Sequence, residues 1–261
     1  GMITENDIRQ KLIDRPVFVT GADGFVGSHL VELLKKYGAV VHAFVRATSS
    51  GSLHHIDYLA KSVHILRGDL SDKSAVQGAL KVLGQSAKRL KKKPIIFHLG
   101  AQAHVGESWQ RPYETIAANI VGTINILQSI VDLGLAIEML DTAGSSEEFG
   151  NIHPEKRDFY RFDANGGLIL DERSPLNPQS VYATSKVASD FLTRNYAAAY
   201  VIPAIVTRMF NNYGPRQNPR FITGAIITQA LLRDTVELGE LPPKRDFCFV
   251  TDGARGHIPA A

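Results

Sequence analysis

Short apolar runs alternate along this chain with longer stretches in which apolar residues recur at helical spacing. "PVFVT" (Pro16–Thr20) is rich in β-branched residues, is bounded by Pro and Gly, and predicts a buried strand. "FVGSHLVELLKKYG" follows, with Leu30, Leu33 and Leu34 on one side and Gly38 as a C-terminal stop, and predicts a helix. "AVVHAFV", "SVHILRGDL", "PIIFHLG" and "AIEML" predict strands two to five, and "AIVTRMF" the sixth. Between them lie "SDKSAVQGALKVL", where Ser71 or Asp72 caps a helix, then the amphipathic "AANIVGTINILQSIVDLG", then "SVYATSKVASDFLTRNYAAAY". Alternation of this kind predicts right-handed crossovers and an α/β fold, a doubly wound parallel sheet of Rossmann type with ligands beyond the strands' C-terminal ends. Residues 1–210 are expected to form that domain, and residues 211–261 to begin a smaller C-terminal substrate lobe. No repeat or low-complexity linker interrupts the pattern.

Composition changes this picture little. The 261 residues suffice for one large α/β domain, and 44% hydrophobic with 21% charged residues is usual for a globular chain. Twenty-nine basic against 26 acidic residues give +3, too weak a bias to point to nucleic acid. The basic cluster "KRLKKK" reads as a solvated helix end. The single Cys248 cannot form an intramolecular disulfide, which makes a cytoplasmic setting the expectation. No apolar run reaches the roughly 18 residues needed to span a membrane, and the start lacks a secretion pattern. Gly1 before Met2 reads as a cloning remnant.

Candidate chemistry falls at strand ends. "TGADGFVG" sets Gly21, Gly24, Phe25 and Gly27 between the first strand and first helix. There, bare N–H groups and close backbone approach suit a pyrophosphate. The spacing is G-x-x-G-x-x-G; the alternative reading is a purely steric turn. After the second strand, "VHAFVRATSS" carries Arg46 and hydroxyls but no carboxylate, which favours NADP over NAD, although Arg46 can also be read as a solvated loop residue. "YATSK" places Tyr182 and Lys186 four apart on one helix face, where an ammonium beside a phenol favours the phenolate and makes it a usable base. His98 and His104 lack acidic or cysteine partners at ligand spacing; no metal site is expected, and His98 reads as strand-end packing.

In order along nearly the whole chain, "TGADGFVG", "GDL", "HLGAQAHV", "SSEEFG", "YATSK" and "RMFNNYGPRQ" resemble the extended short-chain dehydrogenase/reductases that act on nucleotide sugars. The resemblance implies that Tyr182 is the catalytic base with Lys186 as its helper, and that Ser145 bonds the substrate's 4-hydroxyl. It also implies that Asp69 and Leu70 meet the adenine, and that Leu99 and Ala101 line the cofactor site. The family's epimerases, decarboxylases, reductases and 4,6-dehydratases all begin by taking hydride from C4. Elimination across C5–C6 needs a further titratable group, and Ser145-Ser146-Glu147 is similar to the dehydratases' Thr-Asp-Glu or Thr-Ser-Glu, most of all to GDP-mannose dehydratases. Glu147 is thus implied as the eliminating carboxylate, with Glu148 facing away. "NNYGPRQ" is more like UDP- or dTDP-sugar enzymes, which leaves the nucleotide open. Ser146, Asn211, Arg216, Arg220 and Arg245 are candidates to hold the substrate, the arginines through bidentate phosphate bonds. The implied activity is an NDP-hexose 4,6-dehydratase, with a 4-epimerase or a non-catalytic dinucleotide-binding protein as alternatives. The chain stops at "GHIPAA", soon after "RDF", where family members continue, so an incomplete substrate lobe is expected. The helices over 117–133 and 180–200 match those of the family's four-helix interface, which implies a homodimer.

Overall fold

The computed structural model describes residues 3–48, 50–100, 104–233, 235–237 and 245–260. In chain order these are α1 (Glu5–Leu12), β1 (Pro16–Thr20), α2 (Phe25–Lys36), β2 (Val40–Val45), β3 (His64–Arg67), α3 (Lys73–Leu90) and β4 (Ile95–His98). Then come α4 (Val105–Gln110), α5 (Pro112–Ile116), a π turn (Ala117–Val121), α6 (Gly122–Asp132) and β5 (Met139–Ser145). The rest comprises a small hairpin, β6 (Arg161–Phe162) with β7 (Leu168–Ile169), then α7 (Val181–Tyr200), β8 (Ala204–Met209), β9 (Asn211–Tyr213), α8 (Ile222–Leu232), β10 (Phe247–Phe249) and α9 (Val250–Ala260).

Six strands form one parallel sheet in the order β3-β2-β1-β4-β5-β8. The order reverses between β1 and β4, and it is there that a doubly wound sheet opens a crevice at its C-terminal edge. One apolar layer packs α2, α1 and α9 against the sheet through Leu30, Leu34, Val17, Val19 and Ile258. The other packs α3 and α6 through Phe18, Leu80, Leu83, Ile96 and Ile126. Phe18 and Val19 are neighbours on β1 that point to opposite faces, which is why a central strand reads as an unbroken apolar run. The "KRLKKK" cluster lies at the end of α3, where Lys91 takes the left-handed cap and Lys88, Arg89, Lys91 and Lys93 are exposed.

Three elements depart from the sequence reading. The fifth strand starts later and runs on to Ser145, so the polar "DTAGS" is strand and not turn. Its side chains Asp141 and Thr142 are buried and satisfied by distant partners, Thr207 and Thr193. Helix α1 went unread, although Thr4 and Asp7 form a reciprocal cap at its start. The stretch Pro112–Asp132 is, by length and a mean hydropathy of 1.2, apolar enough to cross a membrane, because Gly and Thr among its Ile, Val and Leu lower the average only slightly. Half of that window is buried inside the fold. Beyond β8, α9 returns to pack on α2 and β8.

Candidate active site

The glycine turn has the geometry that a phosphate cradle needs. Gly21 has φ +63, and a Cβ there would lie 2.9 Å from Gly100 Cα; at Gly27 a Cβ would lie 2.0 Å from the Gly21 carbonyl oxygen. A side chain at Gly27 would push α2 away from the end of β1, and one at Gly21 would strike the backbone that follows β4. Gly24 caps α2 without a side-chain bond, and the first turn holds no acidic residue, so its N–H groups and the helix dipole face outward. Beside the turn a hollow of about 80 Å³ is lined by Gly21, Phe44, Arg46, Asp69, Leu70 and Gly100. Asp69 is held by the N–H and hydroxyl of Ser71 (2.9 and 2.7 Å), which lower its carboxyl below the usual range, and nearby Arg46 adds to this. Asn125 donates to the Leu70 carbonyl at 2.7 Å and fixes the hollow's wall.

The hollow adjoins the turn that leads to a cleft of about 400 Å³. The cleft is lined by Phe25, Leu99, Ser145, Ser146, Glu147, Tyr182, Lys186, Asn211 and Arg220 among others. β5 delivers Ser145 at its last position, and the Ser145 hydroxyl then accepts from the N–H of Glu147 (3.1 Å), turning the chain so that half-buried Glu147 faces the cleft. Across it, α7 starts at the Ser180 cap; the backbone N–H of Tyr182 donates to Ser108 on α4 (3.1 Å) and Lys186 Nζ to the Ala143 carbonyl (2.9 Å). Tyr182 and Ser145 line the same cleft. Burial pushes the phenol up to about 12, against Ser145, which lowers it, with Glu147 and Glu148 raising it further. Burial draws Lys186 down to about 8, and Glu148 opposes this. Without added positive charge the tyrosine is therefore a proton donor.

Sequence reasoning and geometry part company at several residues. Arg216 is turned onto α2, where it pairs with Glu32 and donates to Ser28 (3.2 Å); it does not line the cleft. Its backbone takes the left-handed conformation, with φ +73. Arg245 is exposed and also lies outside the cleft lining, and Ala101 falls outside the described residues. Arg220 lines the cleft rim, exposed, 3.7 Å from Glu107. His98 is buried between Thr20 (2.8 Å) and Thr123 (3.0 Å), a strand-end bridge as expected, and Thr20 also accepts from the Gly100 N–H. His104 caps α4 and lines the cleft. Glu148 does face away from the cleft, into the interior: it is fully buried and accepts from the Ser145 N–H at 2.8 Å. His257 of α9, unread in the sequence, also lines the cleft and pairs with Asp141 at 2.5 Å. No cluster of metal-ligating side chains occurs among the described residues.

A tyrosine and lysine one helical turn apart, facing a strand-end serine above a glycine-turned dinucleotide cradle, is the arrangement of the short-chain dehydrogenase/reductases, and the glycine turn and hollow fit a pyrophosphate and an adenosine. Within that class the chain belongs to the GDP-mannose 4,6 dehydratase family, which it matches over residues 18–259. It is 30% identical to a GDP-mannose 4,6-dehydratase of Sordaria araneosa, covering 93% of this chain and 42% of that protein. It is 31% identical to GDP-mannose 4,6 dehydratase 1 of Arabidopsis thaliana, covering 90% of this chain and 63% of the relative. The chain thus spans less than two thirds of these relatives' length. Among solved structures, a dTDP-glucose 4,6-dehydratase double mutant from Streptomyces venezuelae with NAD bound is similar with a TM-score of 0.76 at 26% identity, covering 93% of this chain and 70% of that one.

Proposed function

We propose that this chain carries the catalytic half of a nucleotide-diphosphate-hexose 4,6-dehydratase. The observation that carries the reading is Glu147: a carboxylate facing the same cleft as Ser145, Tyr182 and Lys186. Ser145 and Tyr182, lining the same cleft, receive the sugar's 4-hydroxyl between them. Gly21, Gly24 and Gly27 would hold a nicotinamide dinucleotide, which when bound accepts the C4 hydride, returns it to C6, and brings the positive charge that lets Tyr182 give up its proton. Lys186, anchored on the Ala143 carbonyl, holds its ammonium beside the phenol. Oxidation at C4 acidifies C5–H. Glu147 then takes the C5 proton, the C5=C6 double bond forms as the C6–O bond breaks, and the same carboxyl returns that proton to the departing oxygen, releasing water. When hydride is returned to C6, C5 takes up a proton from solvent, balanced by the one that Tyr182 accepted from the 4-hydroxyl and gives back as it resets.

Arg46, on the adenosine hollow, supports NADP as the preferred cofactor, since a guanidinium there would engage a 2′-phosphate. A homodimer is supported by the exposed Tyr113, Ile116 and Val121 beside Phe191, on helices that pack against one another. Mass spectrometry after incubation with GDP-mannose, dTDP-glucose, UDP-glucose and UDP-N-acetylglucosamine tests the activity. Loss of water from one sugar is expected, and isomerisation without mass change would establish an epimerase instead. Glu147→Gln should still oxidise C4 yet release no water; dehydration at the parent rate would overturn the assignment.

A further inference from the structure

Beneath the cleft lies a second pair of carboxyls. Glu148 is fully buried, and so is Asp190, one helical turn beyond Lys186 on α7. Both reach the one guanidinium of Arg208, and Asp190 lies close enough to raise the Glu148 carboxyl, an arrangement that favours one proton held between them. Arg208 of β8 clasps both, with Nε 3.5 Å from Glu148 and Nη2 2.9 Å from Asp190, and Arg194 reaches Asp190 at 2.6 Å. Glu148 Oε2 accepts the Ser145 N–H at 2.8 Å, while Oε1 has no conventional donor. The pair therefore touches the backbone of one catalytic candidate and, on α7, lies next to another.

We propose that Glu148 and Asp190 share one proton and together form a positioning device for Ser145, Tyr182 and Lys186. It fixes the end of β5 through the Ser145 amide and sets the charge felt by the Tyr182–Lys186 pair. The charged and titratable groups around it are Glu147 on its own turn, Tyr182, Lys186 and Arg194 on α7, and Arg208 on β8. Burial first, and then the nearness of Asp190, hold Glu148 well above the usual carboxylate range. Near neutrality the pair thus holds a single negative charge, and a second appears only in the alkaline range. That second charge opposes loss of the Lys186 proton, whose pKa burial draws down and Glu148 holds up.

This rests on the reading of Tyr182 and Lys186 as the oxidising pair, but its test needs no sugar. An oxidised nicotinamide, being positive, binds more tightly once that proton is lost, so the ratio of NAD+ to NADH affinity (or of NADP+ to NADPH) should rise along an alkaline limb. In Glu148→Gln the amide still accepts the Ser145 N–H and can donate to Asp190, but the second charge never forms. The limb should move to lower pH by half a unit or more, about threefold in the equilibrium at fixed pH, with the neutral-pH ratio unchanged. Asp190→Asn should move it the same way, and serves should the first variant fold poorly. Superimposable limbs in parent and variants would overturn the proposal. Failure of the dehydratase assay, with the limb shifted, would strike only the reading of the reaction.

Discussion

Gly27→Ala tests the cradle most directly. The added methyl would sit 2.0 Å from the Gly21 carbonyl oxygen and 2.9 Å from its carbon, where real Cβ contacts do not fall below 3.0 Å. The obstacle is backbone on both sides, so no side chain can swing aside; β1 and α2 must separate by about 1 Å or more. Overpacking of this kind costs about 1–3 kcal/mol, and alanine's better helix propensity returns at most about 1 kcal/mol. With no flexible neighbour, the cost belongs at the upper end, for a net loss of about 1–2 kcal/mol and a Tm lower by about 2–8 °C. The separation also withdraws helix N–H groups from the pyrophosphate. Each charge-assisted bond is worth about 1.5–3 kcal/mol, which predicts dinucleotide binding at least about tenfold weaker. Thermal unfolding with and without NAD+, and a fluorescence titration of the dinucleotide, measure both. At Gly24 the added Cβ meets a single atom at 3.2 Å, so Gly24→Ala should fall between the parent and Gly27→Ala. A Gly27→Ala protein that binds NAD+ like the parent and melts no earlier would refute the cradle.

Arg46→Ala should weaken NADP+ binding by about tenfold or more while changing NAD+ binding little, as the guanidinium's charge-assisted bonds reach only a 2′-phosphate; equal losses for both cofactors would count against NADP preference. Burial, and then His64 for His42 or Lys186 for His98, holds the two imidazoles neutral, at about 4 and about 3. Below about pH 6.5 the unfolded chain therefore binds protons that the folded one refuses, and stability falls by up to about 1.4 kcal/mol per pH unit for each histidine. Denaturant titrations at neutral pH and near pH 5 should show this fall, and His42→Gln should remove about half of the slope. Gly78, exposed in mid-α3 with nothing near its Cα, should accept alanine with a gain of about 0.5–1 kcal/mol, read as a higher denaturation midpoint.

The alternation of elements was legible because β1, β2 and β4 are buried on both faces and so carry continuous apolar runs. The end of β5 was not. Asp141, Thr142 and Gly144 look like turn formers until Thr207, Thr193 and His257, far along the chain, supply the partners that make them interior. Tyr182 and Lys186 were readable from their helical spacing, and Glu147 from its place beside the hydroxyl cluster, since each depends on local geometry. Glu148 differs from Glu147 by one position and has the opposite fate. That it faces away was expected; that it is fully buried was not legible, because Asp190 and Arg208 sit on other elements. Arg216's place beside α2 was not legible for the same reason: its partner Glu32 lies far back in the sequence.

The Asp141–His257 bond ties the last described helix to the middle of the central sheet, with both side chains sealed from water. Cutting the chain at residue 210 would leave that aspartate in the interior with a single hydroxyl for company, so such a fragment should unfold more readily than its apolar core suggests. The same bolt restricts where the molecule can bend. While that bond is made, α9 and the middle of β5 move as one piece.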